Sequence, residues 1–98
     1  MTGTRPTRLS IAEVESRLAH CPGWELVDAK LYRRFDFPDF NAAFGFMARA
    51  ALIAESLDHH PEWSNVYNRV DIHLTTHDAG GISELDFELA KRLDALLD

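Results

Sequence analysis

Three segments of the chain carry apolar residues at the three- and four-residue spacing of an amphipathic helix. The first follows Ser10, which stands three residues before Glu13 in the spacing of a capping box. The second is predicted to begin after Asp39 as its N-cap and to continue to about Asp58, and the third follows Ser83. The apolar stripes predicted to face the core are Ile11, Val14 and Leu18 in the first helix, Phe40, Phe44, Met47, Ala51 and Ala54 in the second, and Leu89, Ala90, Leu93 and Leu97 in the third.

The segments between these helices alternate polar and apolar residues with the two-residue period of a strand. They form two pairs, each separated by a two-residue turn, Asp28-Ala29 in the first pair and Asn68-Arg69 in the second. Strands joined by a tight turn pair antiparallel, so the sequence predicts an α+β fold of order α-β-β-α-β-β-α, with a four-stranded antiparallel sheet and helices packed on one face. The predicted strands are residues 24–27, 30–37, 63–67 and 70–76.

Length, charge and cysteine content limit the class of protein. The 98 residues suit one small domain, so we expect a single domain over residues 1–98, with residues 1–8 frayed. A formal net charge of −6 argues against nonspecific nucleic-acid binding, because no basic stripe can neutralise phosphates. The sequence has no apolar run of the ~18 residues that a transmembrane helix needs, so no membrane association is expected. The single Cys21 cannot form an internal disulfide, which suits a cytoplasmic location.

The residues with most chemical potential lie between the second helix and the end of the last strand. An adjacent His59–His60 pair precedes Pro61, and a third histidine, His77, follows a predicted strand. Imidazole side chains in general titrate near neutrality, so a convergent group of them can donate and accept protons at working pH. Pro61 disfavours the α conformation at His60, which lets the two imidazoles point in different directions. The alternative is one histidine that caps the helix and one that is solvated.

Two acidic residues stand on apolar helix faces near these histidines. Glu55 continues the stripe of the second helix and lies four residues before His59, so its carboxylate is predicted to orient that imidazole. The alternative for Glu55 is a surface ion pair at the helix end. Asp86 shares a face with apolar residues of the last helix, but it also stands three residues after Ser83, where a capping box accounts for it without any role in catalysis.

Trp63 follows the histidine pair and is either part of the core or one wall of a pocket for a flat heterocycle. A zinc site is the other reading of a histidine-rich segment. His73 and His77 would lie at different levels of one strand, and neither a cysteine pair nor a His-Glu-x-x-His motif accompanies them. We therefore expect no metal site.

In order and spacing, these residues resemble the pterin-4a-carbinolamine dehydratases, a family also known as dimerization cofactors of a homeodomain transcription factor. The similarity extends over residues 10–97, and its most specific part is the histidine pair with Pro61 and Trp63 together with the distant Thr76-His77. The matching positions are Glu55, Asp58, His59, His60, Pro61, Glu62, Trp63, Val66, Tyr67, Asn68, Val70, Leu74, Thr76, His77, Ser83, Glu84 and Asp86.

The resemblance implies dehydration of 4a-hydroxytetrahydrobiopterin, the 4a-carbinolamine, to quinonoid dihydropterin and water, which recycles the pterin cofactor of aromatic amino-acid hydroxylases. The reaction expels hydroxide from C4a while a ring nitrogen loses a proton, so it needs an acid, a base and a pocket for a planar ring, and no metal or organic cofactor. The implied catalytic residues are His59, His60 and His77, with Glu55 and Asp86 as orienting or proton-linked groups. The implied substrate-binding residues are His59, His60, Pro61, Trp63, Thr76, His77, Asp78 and Ala79.

The resemblance also implies an assembly of identical chains, a homodimer made by joining sheets or a homotetramer made by packing helices as well. The predicted strand 70–76 supports this, because it has no Pro or Lys to protect it if it forms a free edge. An aromatic amino-acid hydroxylase is the implied pathway partner. The alternative function is a non-catalytic assembly cofactor for a protein partner. Such relatives are expected to lose part of the histidine set, whereas this chain keeps three histidines and both acids, which favours the enzyme.

Overall fold

The structure is a computed structural model that describes residues 6–97. In that part of the chain, the order of helices and strands is the predicted one, and the α+β class with an antiparallel sheet is confirmed. None of the helices there is both long and apolar enough to cross a bilayer. Of residues 1–8, predicted to fray, 1–5 lie outside the described residues. The elements are α1 (Ile11–Leu18), β1 (Glu25–Val27), β2 (Lys30–Asp36), α2 (Phe40–Leu57), β3 (Glu62–Val66), β4 (Arg69–Leu74), a 3₁₀ turn (His77–Ala79) and α3 (Glu84–Ala95).

The four strands form one sheet in the order β1-β2-β4-β3, with every neighbouring pair antiparallel. The two hairpins join through their second strands, and Leu31 of β2 lies opposite Leu74 of β4. β4 is therefore an interior strand. The expectation that residues 70–76 could form a free edge is wrong, because both sides of β4 are hydrogen bonded and the edges of the sheet are β1 and β3.

Each hairpin turn has two residues. Asp28 and Ala29 have φ of 52° and 62°, the two positive values that a type I′ turn requires. The second turn is Tyr67-Asn68 and not the predicted Asn68-Arg69, because Val66 pairs with Arg69 across the hairpin. Tyr67 takes the positive φ of 52° there. An aromatic residue in the left-handed region is uncommon, so residue type does not indicate this turn position.

The core lies between one face of the sheet and the inner faces of the helices. Val70, Ile72 and Leu74 of β4 are buried, as their alternation with polar residues predicts. α3 contributes Leu89, Ala90 and Leu93, which are buried as predicted, whereas Leu97 lies beyond the end of α3 and is exposed. The apolar stripes thus identify the core side of the sheet and of α3.

The predicted stripe of α2 is mostly wrong. Phe40 and Phe44 are 47% and 56% exposed, and Ala51 is also exposed. The helix is apolar around most of its circumference, so a helical period does not determine which side faces the sheet. Its buried residues are Ala43, Phe46, Ala50 and Ala54.

A half-buried ion pair connects α3 to the sheet. Arg33 of β2 donates to Asp94 of α3 at 2.8 Å, and Trp24 donates its indole N–H to the same carboxylate at 2.9 Å. The Arg33 guanidinium also lies over the Phe35 ring, 4.6 Å from its centroid. Burial raises the pKa of Asp94, and the hydrogen bond from Trp24 and the charge of Arg33 act in the opposite direction. These contacts stabilise α3, which holds Asp86 at its first turn.

Candidate functional site

The end of α2 sets the directions of the first two candidate histidines. Asp58 is the C-cap and adopts the left-handed conformation with φ 50° and ψ 43°. The backbone N–H of His59 still donates to Ala54 at 3.0 Å, so the chain folds back against the last turn of the helix. Because the left-handed residue changes the chain direction, the helical relation between Glu55 and His59 is lost.

His59 turns inward and pairs with Asp86. Its Nε2 lies 2.6 Å from Asp86 Oδ1, and the two residues are 8% and 0% exposed. The Ser83 backbone N–H and the Thr76 hydroxyl both donate to Asp86 Oδ2, at 2.9 and 2.8 Å. These hydrogen bonds compensate the burial of a carboxylate, which would otherwise be costly. Asp86 therefore completes the capping box of α3 with Ser83 and also contacts a candidate histidine, so the cap does not account for all of its contacts.

Glu55 pairs with the other histidine of the adjacent pair. Its Oε1 lies 2.9 Å from Nε2 of His60, and both side chains are mostly exposed. The prediction that Glu55 orients His59 is wrong, because the left-handed Asp58 places His60 at the carboxylate instead. An ion pair in water holds its members only weakly, so this contact orients His60 less firmly than Asp86 orients His59.

His77 lies at the start of the 3₁₀ turn after β4, with a side chain 85% exposed. Its Nε2 is 3.6 Å from Glu62 Oε2. Lys30 donates to the other oxygen of Glu62 at 2.6 Å, and this hydrogen bond lowers the pKa of Glu62 below its usual range. Glu62 of β3 reaches Lys30 of β2 across the intervening β4, on the sheet face that carries His73.

The implied substrate-binding residues differ in exposure. Trp63 is half-buried and packs against the core, and Pro61 and Ala79 are also half-buried. Asp78 is exposed. Thr76 is buried, and its hydroxyl is already hydrogen bonded within the protein. Part of the proposed pterin-contacting set is thus accessible at the surface, whereas the Thr76 side chain is not.

Two hydrogen bonds and one longer ion-pair contact place each of the three candidate histidines next to one carboxylate. His59 with Asp86 is buried, and His60 with Glu55 and His77 with Glu62 lie at the surface. Within residues 6–97, no group of three or more His, Cys, Asp or Glu side chains is arranged to hold a metal ion. A concave region between α1 and α3 is lined by Leu9, Arg17, Cys21, Leu85 and Phe87 among others, and it contains none of the three histidines.

A family model described as Pterin 4 alpha carbinolamine dehydratase matches residues 7–96. The chain belongs to this family. A protein of Solibacter usitatus that carries the provisional name pterin-4-alpha-carbinolamine dehydratase is 58% identical over 90 residues, which cover 92% of this chain and 95% of the relative. A relative from a Chelativorans species, with the same provisional name, is 56% identical over 90 residues, which cover 90% of this chain and 92% of the relative.

The fold is likewise that of a known family member. A crystal structure described as a transcriptional coactivator/pterin dehydratase from Brucella melitensis aligns with a TM-score of 0.91 and 49% identity, covering 94% of this chain and 100% of that one. The resemblance to the pterin-4a-carbinolamine dehydratases is therefore confirmed.

Three contacts in this dehydratase-family site were not foreseen from the sequence. Glu62 falls inside the family motif, yet nothing in the local spacing connects it to His77. Lys30 has no local signal at all, since it is 32 residues from Glu62 along the chain and contacts it only through the sheet. Ser83 is recognisable as a helix cap from its spacing to Asp86, and only the tertiary structure brings Thr76 to its hydroxyl, at 2.7 Å.

Proposed function

We propose that the protein is a hydro-lyase that removes water from 4a-hydroxytetrahydrobiopterin and releases quinonoid dihydropterin. Membership of the family supports the pterin substrate and the dehydration. The observation that carries the histidine mechanism is the buried pair of His59 and Asp86, 2.6 Å apart. A carboxylate at one nitrogen of an imidazole orients the ring and stabilises the imidazolium, so the other nitrogen can transfer protons.

The reaction needs two proton transfers that balance. A protonated imidazole donates its proton to the hydroxyl leaving C4a, which departs as water. A neutral imidazole accepts the proton from the pterin ring nitrogen, and the electron pair of that N–H bond forms the new double bond. His59, His60 and His77 are the proposed donors and acceptors, and each has a carboxylate partner at 2.6 to 3.6 Å. The net change is the loss of one water molecule with no oxidation or reduction of the pterin, so the proposed chemistry needs no redox cofactor, and the imidazoles supply the acid and the base.

The half-buried Trp63 supplies an apolar surface for a planar ring, and we propose that it forms one wall of the pterin site. Pro61, Asp78 and Ala79 lie in the segments that flank the histidines and are proposed as further contacts. The pathway partner would be an aromatic amino-acid hydroxylase, which produces the carbinolamine. We propose a cytoplasmic location, which the free thiol of Cys21 supports.

The direct experiment is to generate 4a-hydroxypterin freshly and follow its decay spectroscopically with and without the purified protein. We expect acceleration by the wild type and a loss of kcat of about 10²–10⁴-fold in His59→Ala and His77→Ala. His20→Ala is the matched control, because His20 is an exposed histidine at the end of α1 and outside the three pairs. No acceleration by the wild type, or full activity in a variant that combines His59→Ala with His77→Ala, would contradict the proposal.

A second candidate function is that of an assembly cofactor for a protein partner. It is supported by the Brucella melitensis relative described as a coactivator as well as a dehydratase. We propose that the exposed apolar face of α2, formed by Phe40, Phe44 and Leu52, packs against identical chains in a homodimer or homotetramer. A variant without His59, His60 and His77 that still binds its protein partner would favour the assembly function. Loss of dehydration in that variant and not in the His20→Ala control would favour the enzyme.

A further inference from the structure

We propose that the N-terminal turn of α3 fixes the tautomer of His59, so that Nδ1 is the nitrogen presented to the substrate. In this arrangement Thr76 and Ser83 are positioning residues that act through Asp86, and Thr76 does not contact the pterin. The catalytic role of Nδ1 in this proposal rests on the proposed function. The assignment of the ring proton rests on hydrogen bonds alone.

The donors around Asp86 can be assigned one by one. The Ser83 N–H donates to Asp86 Oδ2 at 2.9 Å, and the Thr76 hydroxyl donates to the same oxygen at 2.8 Å. A hydroxyl has one proton, so Thr76 must accept at its contact with the Ser83 hydroxyl, 2.7 Å away. Ser83 Oγ in turn accepts from the Leu85 N–H at 3.2 Å. The chain of donors therefore begins at the backbone of α3 and ends at Oδ2 of Asp86.

This chain determines the proton on His59. Oδ2 of Asp86 is occupied by two donors, one of which is a backbone N–H that cannot be reversed. Oδ1 faces His59 Nε2 at 2.6 Å. With Asp86 ionised, its carboxylate only accepts hydrogen bonds, so Nε2 carries a proton. In the neutral ring, Nδ1 is then the acceptor.

Nδ1 of His59 is also the nitrogen that reaches the surface. Among the described residues, Nε of Arg69 is the one buried side-chain nitrogen or oxygen without a hydrogen-bond partner. Nδ1 of His59 is therefore not a buried atom that lacks a partner. Within the same residues, the hydrogen bond of the His59 ring is made by Nε2, so the small exposed part of this side chain includes Nδ1. The neutral ring thus presents a base at the surface, and the protonated ring presents an acid at the same atom.

A substitution of Asp86 by asparagine separates the cap from the tautomer. The amide oxygen of Asn must occupy the Oδ2 position, because an NH₂ group there would face the Ser83 N–H. The NH₂ group then faces His59 Nε2, which has to accept, and the ring proton moves to Nδ1. Asp86→Asn should keep the helix cap and reverse the hydrogen-bonding character of the atom presented to the substrate.

The test is nitrogen-15 NMR of the His59 ring in the free protein at mildly alkaline pH, together with kinetics. We expect Nε2–H in the wild type and Nδ1–H in Asp86→Asn, with similar unfolding temperatures and kcat lower by about 10²–10⁴-fold in the variant. An Nδ1–H wild type, or a variant that keeps the wild-type tautomer, would overturn the proposal. The NMR result needs no substrate, so an inactive wild type would count against the proposed function and leave the tautomer assignment standing.

The role of Thr76 has its own test. We expect Thr76→Val to lower kcat with little change in KM, and Thr76→Ser to restore most of the loss, because Ser supplies the same hydroxyl. A raised KM with unchanged kcat in Thr76→Val would mean that Thr76 contacts the pterin and would overturn its positioning role. If Thr76→Val does not fold, the comparison of Thr76→Ser with Ser83→Ala replaces it. Thr76→Ser should retain the wild-type tautomer and kcat, and Ser83→Ala should lower kcat at unchanged KM.

Discussion

Glu55 contacts His60, five residues further along the chain, and not His59, which stands one helical turn away. The cause is Asp58, whose left-handed backbone ends α2 between the carboxylate and the two imidazoles. His59 is released by this change of direction and reaches Asp86 of α3, 27 residues away. The two members of the adjacent pair consequently have different partners, one exposed to water and one buried.

This difference predicts unequal effects of removing the two carboxylates. Glu55→Gln removes the exposed partner of His60, and exposed ion pairs restrain side chains weakly, so we expect kcat to fall by less than about tenfold. The measurement is steady-state dehydration kinetics, with Glu15→Gln on the exposed side of α1 as the control. A loss as large as that of His59→Ala would mean that Glu55 itself transfers a proton.

The parts of the structure that local spacing predicts are those maintained by local hydrogen bonds. Both capping boxes, at Ser10 and Ser83, form as their spacing indicates. The partner of Glu55 could not be predicted, because it depends on a left-handed conformation that a non-glycine residue such as Asp58 adopts rarely. Contacts across the fold, such as Lys30 with Glu62, join residues far apart in the chain and have no local signal.

The core side of α2 shows a second limit of sequence patterns. Apolar residues on most of its surface satisfy more than one helical stripe, and the buried one consists of Ala43, Phe46, Ala50 and Ala54. Of the predicted stripe, Phe40 and Phe44 remain exposed. The exposure of these two rings supports the proposed packing against another copy.

A titration prediction follows from the outer face of the sheet. The Tyr32 hydroxyl donates to Asp71 at 2.6 Å, and this hydrogen bond raises the pKa of Tyr32. Because folding raises the pKa of Tyr32, this hydrogen bond stabilises the folded state fully at pH values below the unfolded pKa of about 10. The stabilisation is lost as the pH rises through the folded pKa. We expect Asp71→Asn to move the ionisation of Tyr32 to lower pH, measured by phenolate absorbance in a Tyr67→Phe background. An unchanged ionisation curve would remove Asp71 as the cause.

The first hairpin turn predicts a stabilising substitution. Ala29 has φ 62°, which is unfavourable for a residue with a Cβ and free of strain for glycine. We expect Ala29→Gly to raise the free energy of unfolding by about 0.5–1 kcal/mol, after the greater flexibility of glycine in the unfolded chain is subtracted. The control is Ala51→Gly, the same change on an exposed position of α2, which should destabilise by about 1 kcal/mol. Chemical denaturation of both variants checks the opposite signs.

The exposed face of α2 predicts self-association. Three apolar side chains of this face are exposed, Phe40 by 47%, Phe44 by 56% and Leu52 by 73%. The two phenylalanine rings lie 5.6 Å apart and form one apolar patch on the helix. Exposed apolar patches of this kind mark interaction surfaces. We expect the wild type to sediment as a dimer or tetramer at micromolar concentration, and Phe44→Asp with Leu52→Asp to sediment as a smaller species with the same circular dichroism.

Ile11→Asp is the control, because Ile11 is an equally exposed apolar residue on α1. A wild type that sediments at the chain mass of 11.1 kDa would contradict the prediction, and an unchanged oligomer in the double variant would move the interface to the sheet edges β1 and β3.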